Sequence, residues 1–270
     1  MPSHLSAVFT AVLAAVLTGI SYLFPDWVVV LVVLVQISIA LGPGANDDRG
    51  HSLRTPMFLS ILVGSAVSLV VSLFPEILVG AGGSEVSEVG FIDTGVFSGV
   101  HLGLVAALLT AVITQMLRKD GRDNLTRTLA HTMLMSTLAV ITVGWIGAAS
   151  VPPPGGVVGM AAGALALAVL IREFGPNESL RAQNIAFGFA LLAGSLAALF
   201  IGMAFAVPIS WIAALVLGAL SGSLAIIGHQ VADYSIKSLR HSGPRIGFAA
   251  AMPIALVGPV AFVASALPGI

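Results

Sequence analysis

Apolar runs and short polar breaks alternate along the whole chain, from the first residues to the last. A bilayer core of about 30 Å takes roughly 20 helical residues to cross. On that scale the pattern predicts nine spans, at 5–24, 28–42, 57–79, 97–117, 129–150, 156–171, 184–206, 209–229 and 246–268. Lipid cannot satisfy unpaired backbone N–H and C=O groups, so each span is expected to be an α-helix. The fold class predicted is therefore all-α and polytopic. The second and sixth runs are short, as suits tilted helices or helices partly buried in protein. No polar break is long enough for a soluble domain and no internal repeat stands out, so residues 1–270 are read as one transmembrane domain.

Charge orients the spans. All eleven Lys and Arg residues fall in four breaks: Arg49 and Arg54; Arg118, Lys119, Arg122 and Arg127; Arg172 and Arg181; Lys237, Arg240 and Arg245. The intervening breaks carry Asp26, then Glu85, Glu88 and Asp93, then the Pro-rich stretch from Val151 to Gly156, then Val207-Pro208, with no basic residue. Basic loops stay on the cytoplasmic side, which places the N-terminus in the cytoplasm and the C-terminus outside. The first run has no basic n-region and no clear small-residue cleavage site, so it is taken as a span and not a signal peptide.

Composition agrees and excludes several functions. The chain is 57% hydrophobic and 9% charged, with a mean hydropathy of +1.06, against about 25% charged in soluble domains. With no cysteine there is no disulfide framework, Cys-ligated zinc or thiol nucleophile. A net charge of −1 and no contiguous basic surface argue against nucleic acid as a partner. Glycines four apart at 99 and 103, 159 and 163, and 218 and 222 let helices approach closely. Packing within one chain is favoured there over a homodimer interface.

Candidate chemistry is sparse. Asp47 and Asp48 pair their carboxylates in the first basic break, an arrangement that can hold Mg²⁺ for a diphosphate and suggests an intramembrane prenyltransferase. The spacing fails, because Gly50 stands one helical turn on where another acid is needed, and Glu173 and Glu178 are a poor second cluster. Ionisable and polar groups at membrane depth are functional candidates, here His101, Gln115 and His131, of which the last two lie near the ends of their spans. No HExxH, GxSxG, Walker or Rossmann pattern is present.

Four stretches of the C-terminal part follow one another in a recognisable order. Ala164-Leu165-Ala166-Leu167-Ala168 leads to Ile171-Arg172-Glu173-Phe174-Gly175-Pro176, then Arg181-Ala182-Gln183-Asn184-Ile185-Ala186-Phe187-Gly188. After Gly228-His229-Gln230 comes Ala232-Asp233-Tyr234-Ser235-Ile236-Lys237-Ser238-Leu239-Arg240-His241, and then Ser242 to Arg245 and Phe248 to Pro253. This layout resembles the phosphatidate cytidylyltransferases, the CDP-diacylglycerol synthase family, which join CTP to phosphatidate at the cytoplasmic face with divalent metal. Matched to the family's patterns, Arg172, Phe174, Gly175, Gly188 and Asp233 are kept, while Arg240 stands for Lys and His241 for Arg. The leading acid is Ala164, the two phosphate-binding lysines are Gln183 and Asn184, the following Glu is Phe187, and no acid follows Asp233.

The resemblance implies a cytidylyltransferase-like region over 97–270, preceded by spans one to three and an external loop in 1–96. It places residual motif positions at Asp233, Lys237, Arg240 and His241, and phosphate or headgroup contacts at Arg172, Arg181 and Arg245. Asp233 is the one metal ligand it retains, with Mg²⁺ and CTP expected only of an active site. Charge developing on phosphoryl oxygens must be met by metal and cationic groups, so the losses imply an impaired or inactive relative that binds anionic phospholipid. The alternatives are an active enzyme with a rearranged site, a lipid transporter, scramblase or scaffold subunit, and the prenyltransferase. Membrane lipids are the expected partners, with a homodimer or a membrane-protein partner left open. The expected location is a cell membrane, a bacterial inner membrane on this reading.

Overall fold

A computed structural model of the chain describes residues 3–42, 54–74, 94–117, 125–151, 153, 155–176, 179–238 and 245–266. The elements are α1 (Ser3–Leu23), a 3₁₀ turn (Pro25–Trp27), α2 (Val28–Ala40), α3 (Arg54–Leu73), α4 (Thr94–Met116), α5 (Leu125–Ile141), α6 (Gly144–Ser150), α7 (Gly156–Phe174), α8 (Leu180–Ala204), α9 (Trp211–Ser238) and α10 (Arg245–Ala266). No strand occurs among the described residues. By length and hydropathy seven helical stretches can cross a membrane, while Pro25–Ala40 and Met57–Leu73 are apolar but shorter. That is the make-up of a multi-pass membrane protein, with seven crossing-length stretches among the described residues against nine predicted runs.

Two departures from the predicted runs bear on the site. The run at 129–150 is interrupted at Thr142 and Val143, where α5 gives way to α6. There the Thr142 hydroxyl donates to Ala139 O at 2.6 Å, and the Trp145 and Ile146 amides reach back three residues to Thr142 O and Val143 O. A hydroxyl competing for helix carbonyls favours such tightening. The second departure lies at the end of the eighth run, which was expected to close at 229. Instead α9 continues to Ser238. The stretch 229–238 contains neither Gly nor Pro to stop it, and Ala232 is fully buried along it. Asp233 and Lys237 therefore belong to a helix and not to a loop.

Two helices hold the bundle together: α7 touches α1, α6, α8, α9 and α10, and α10 touches α1, α2, α5, α6, α7 and α9; α3 packs on α4 and α5 at one flank. Lipid offers no hydrophobic force between helices, so small residues that admit close backbone contact carry the packing. A Cβ at Gly103 would stand 2.8 Å from Gly64 O, and one at Gly218 would stand 2.5 Å from Gly194 O. Gly159 and Gly163 face Ile201, and Gly222 faces Ala168. All three glycine pairs predicted from spacing thus pack within the chain. Side-chain hydrogen bonds also join helices: Ser60 donates to Ala107 O at 2.7 Å, Gln36 to Ala139 O at 3.1 Å, and Trp145 Nε1 to Ile254 O at 2.8 Å.

The pairing of α1 with α7 sets up the site. Gly155 has φ +73°, a left-handed conformation that glycine adopts without steric cost. A Cβ there would lie 2.8 Å from the Tyr22 backbone. This seats the start of α7 against the end of α1, and Gly159 follows against Thr18. The two helices run antiparallel, so the start of α1 arrives beside the end of α7.

Overpacking by side-chain volume costs about 1–3 kcal/mol. Gly218→Leu, forced onto the α8 backbone, is expected to lose at least that much, read as earlier thermal unfolding in detergent. At Gly188 an added Cβ would meet nothing within 4 Å, so Gly188→Ala is expected to change stability by less than about 1 kcal/mol. Equal losses in the two variants would contradict the packing described.

Candidate functional site

The ends of α1, α7 and α9 that meet here enclose a cavity of about 340 Å³ lined by His4, Val169, Arg172, Glu173, Ile226, His229, Gln230 and Asp233. Helical spacing explains why these residues converge. On α7, Val169, Arg172 and Glu173 stand at i, i+3 and i+4; on α9, Ile226, His229, Gln230 and Asp233 stand at i, i+3, i+4 and i+7. Each set shares one helix face. The apolar pair Val169 and Ile226 is buried, one turn further into the bundle than the polar groups.

Glu173 organises the polar part. Its side chain is 13% exposed, and one carboxylate oxygen lies 3.1 Å from His4 Nδ1, on a histidine that is 60% exposed. The His4 ring stacks on Phe174 with centroids 5.4 Å apart. The other oxygen faces His229 Nε2 at 3.5 Å, and the His229 side chain is 7% exposed. That separation suits an ion pair but is long for a hydrogen bond, and neither His229 nitrogen has a hydrogen-bond partner among the described residues. One carboxylate thus bridges a histidine at the surface and a histidine in the interior. Burying such polar groups is costly unless they are paired.

The donor set does not fit Mg²⁺. A hard cation takes oxygen ligands, yet the two Glu173 oxygens are directed at histidines. Among the described residues no group of three or more His, Asp or Glu side chains could hold a metal ion. The cavity can instead offer an arginine, imidazoles and an amide to one ligand, with two carboxylates beside them. Its volume lies at the lower end of the roughly 300–1,000 Å³ of small-molecule sites.

Of the residues singled out in the sequence, Arg172 and Asp233 line this cavity together. Arg181 is exposed in the first turn of α8 and is not among the lining residues. Lys237 lies in the last turn of α9 and Arg245 begins α10, both at the same end of the bundle as the cavity. Arg240 and His241 lie outside the described residues, as do Asp47 and Asp48. No protein family, no curated protein and no solved structure matches the chain.

Sequence reasoning gave no role to His4, His229 or Gln230, and Glu173 figured there only as a poor second acid. Two signals pointed to them: His229 stands four residues before Asp233, and the alternation of basic breaks puts His4 at the same end as Arg172.

Removing Glu173 leaves two histidines without their shared partner, and breaking a buried polar pair costs about 1–3 kcal/mol. Glu173→Ala is expected to lower the unfolding temperature and to speed amide exchange in the first turns of α1. Glu173→Gln, which keeps an acceptor, is expected to do less of both. Unchanged exchange at the start of α1 in Glu173→Ala would show that the bridge does not hold that end.

Proposed function

We propose that this chain is a phosphatidate cytidylyltransferase-like membrane protein that binds anionic phospholipid at the α1, α7 and α9 cavity and has lost nucleotidyl transfer. The observation that carries the reading is that Arg172 and Asp233, taken from two separate motif stretches, line one cavity. The lost positions support it from the other side. Ala164, where the family pattern has an acid, is fully buried, with its carbonyl 3.3 Å from where a Gly194 Cβ would stand. Phe187, where the pattern has Glu, packs on Ala168, Ala190 and Ile226. Both positions carry apolar side chains in helix contacts and supply no acid to a metal site.

The orientation proposed is the one implied by the basic breaks, with nine spans, the N-terminus cytoplasmic, the C-terminus outside, and the cavity at the cytoplasmic face of a cell membrane. Arg172, Arg181, Lys237 and Arg245 sit at helix ends on the cavity side, where they meet anionic headgroups at about 1 kcal/mol each. The chain has no native cysteine, so single cysteines report without background. A cysteine at Arg181 is expected to react with an impermeant maleimide only after the cells are opened, and one at Asp26 before. The reverse pattern would overturn the orientation.

A second reading, an active cytidylyltransferase with a rearranged site, is favoured by one observation, the placing of Glu173 and Asp233 in the same cavity. Two assays on the purified protein separate the readings. Phosphatidate is expected to bind, with affinity falling about tenfold or more in Arg172→Gln, since a charge-assisted hydrogen bond contributes about 1.5–3 kcal/mol. CTP, phosphatidate and Mg²⁺ are expected to yield no CDP-diacylglycerol. Turnover that disappears in Asp233→Ala would establish the second reading instead, and failure to bind any anionic phospholipid would remove the first.

A further inference from the structure

His229 is the group in the cavity whose hydrogen-bonding capacity is unmet. Its side chain is more than nine-tenths buried, it lines the cavity, and both ring nitrogens lack a hydrogen-bond partner among the described residues. Leaving a buried donor or acceptor unpaired costs about 1–3 kcal/mol, a cost that a ligand in the cavity would relieve. Histidine is also the side chain whose charge most readily changes near neutral pH.

Its surroundings determine what that ligand is. Among the described residues the charged and titratable groups of the cavity are His4 from α1, Arg172 and Glu173 from α7, and Asp233 from α9. A Glu173 carboxylate oxygen lies 3.5 Å from His229 Nε2. An imidazole beside one anion, with its second nitrogen unpartnered, is completed by a second anion on that other side. A doubly protonated imidazolium between two oxyanions donates to both, and charge-assisted bonds of that kind are roughly twice as strong as neutral ones.

We infer that the cavity binds a phosphate oxyanion together with one proton, held between Glu173 and the ligand by His229. Nε2–H points to Glu173 and Nδ1–H to a phosphate oxygen, while Arg172 supplies a further cationic contact from the neighbouring helix. The proton comes from solvent, so ligand and proton bind as a pair and the added negative charge is compensated at the ring. This deepens the proposed function and rests on it for the source of the phosphate, since a lipid headgroup and free phosphate present the same oxygens.

The test is calorimetric titration of the full-length protein in detergent with dihexanoyl phosphatidate and, separately, with inorganic phosphate. Each titration is run in two buffers of different ionisation enthalpy, which counts the protons taken up. The expected result is uptake of about one proton per phosphatidate bound, falling towards zero in His229→Gln, which keeps a donor but cannot carry the charge, and persisting in His4→Gln. Phosphatidate binding with no proton uptake overturns the inference and leaves the lipid-binding function standing. Uptake with inorganic phosphate alone supports the inference and removes the lipid function. Uptake that survives in His229→Gln, or vanishes only in His4→Gln, overturns the assignment to His229. Binding of neither probe overturns it as well.

Discussion

The backbone of α7 lies close enough to its neighbours that there is little room between them for side chains, and the remainder of the structure depends on that approach. Gly155 and Gly159 seat the start of α7 on the end of α1, while Gly194 and Gly218 bring α8 and α9 together beside it. In water such contacts would be supplemented by the hydrophobic effect. In lipid, shape and interhelical hydrogen bonds carry the association. The consequence at the opposite end of α7 is geometric: with α1 and α9 held this near, one glutamate can reach a histidine on each.

That geometry converts a structural constraint into a chemical one. Glu173 lies between His4 and His229, so the carboxylate that would complete a metal site with Asp233 is committed to imidazoles. The same arrangement leaves His229 buried without a hydrogen bond, facing a cavity that Arg172 and Asp233 also line. A site able to hold metal and nucleotide and a site able to hold one phosphate call for different donors, and on the proposed reading this cavity presents the second set. The full burial of Ala164 in a helix contact fits the same picture, because a polar replacement there would be buried without a partner.

The helices were legible in the sequence because hydropathy alone marks segments that must hydrogen-bond internally in lipid. The inward-facing glycine pairs were legible for a related reason, since a spacing of four puts both on one helix face. The site was legible only in part. Arg172 and Asp233 could be picked out by order along the chain, but the bridge from His4 to His229 depends on helix register, which no spacing within a single helix reveals. Asp233 and Lys237 were expected in a loop because motif comparison carries no information on where α9 stops. The residues up to Ser238 are helix-compatible without interruption, and α9 runs through them. Arg181 shows the opposite case, a basic residue at the correct end of the bundle whose side chain is exposed on α8 and does not line the cavity.

Function on this reading turns on whether a phosphate headgroup occupies the cavity between α1, α7 and α9 in direct contact with His229 and Arg172. An experimentally determined structure of the protein in bilayer discs containing phosphatidate addresses that question without intermediaries. The density expected is a phosphate within hydrogen-bonding distance of His229 Nδ1 and the Arg172 guanidinium, with Glu173 still facing Nε2. Lipid phosphate bound only elsewhere, with His229 unengaged or turned away from the cavity, would refute the proposed site.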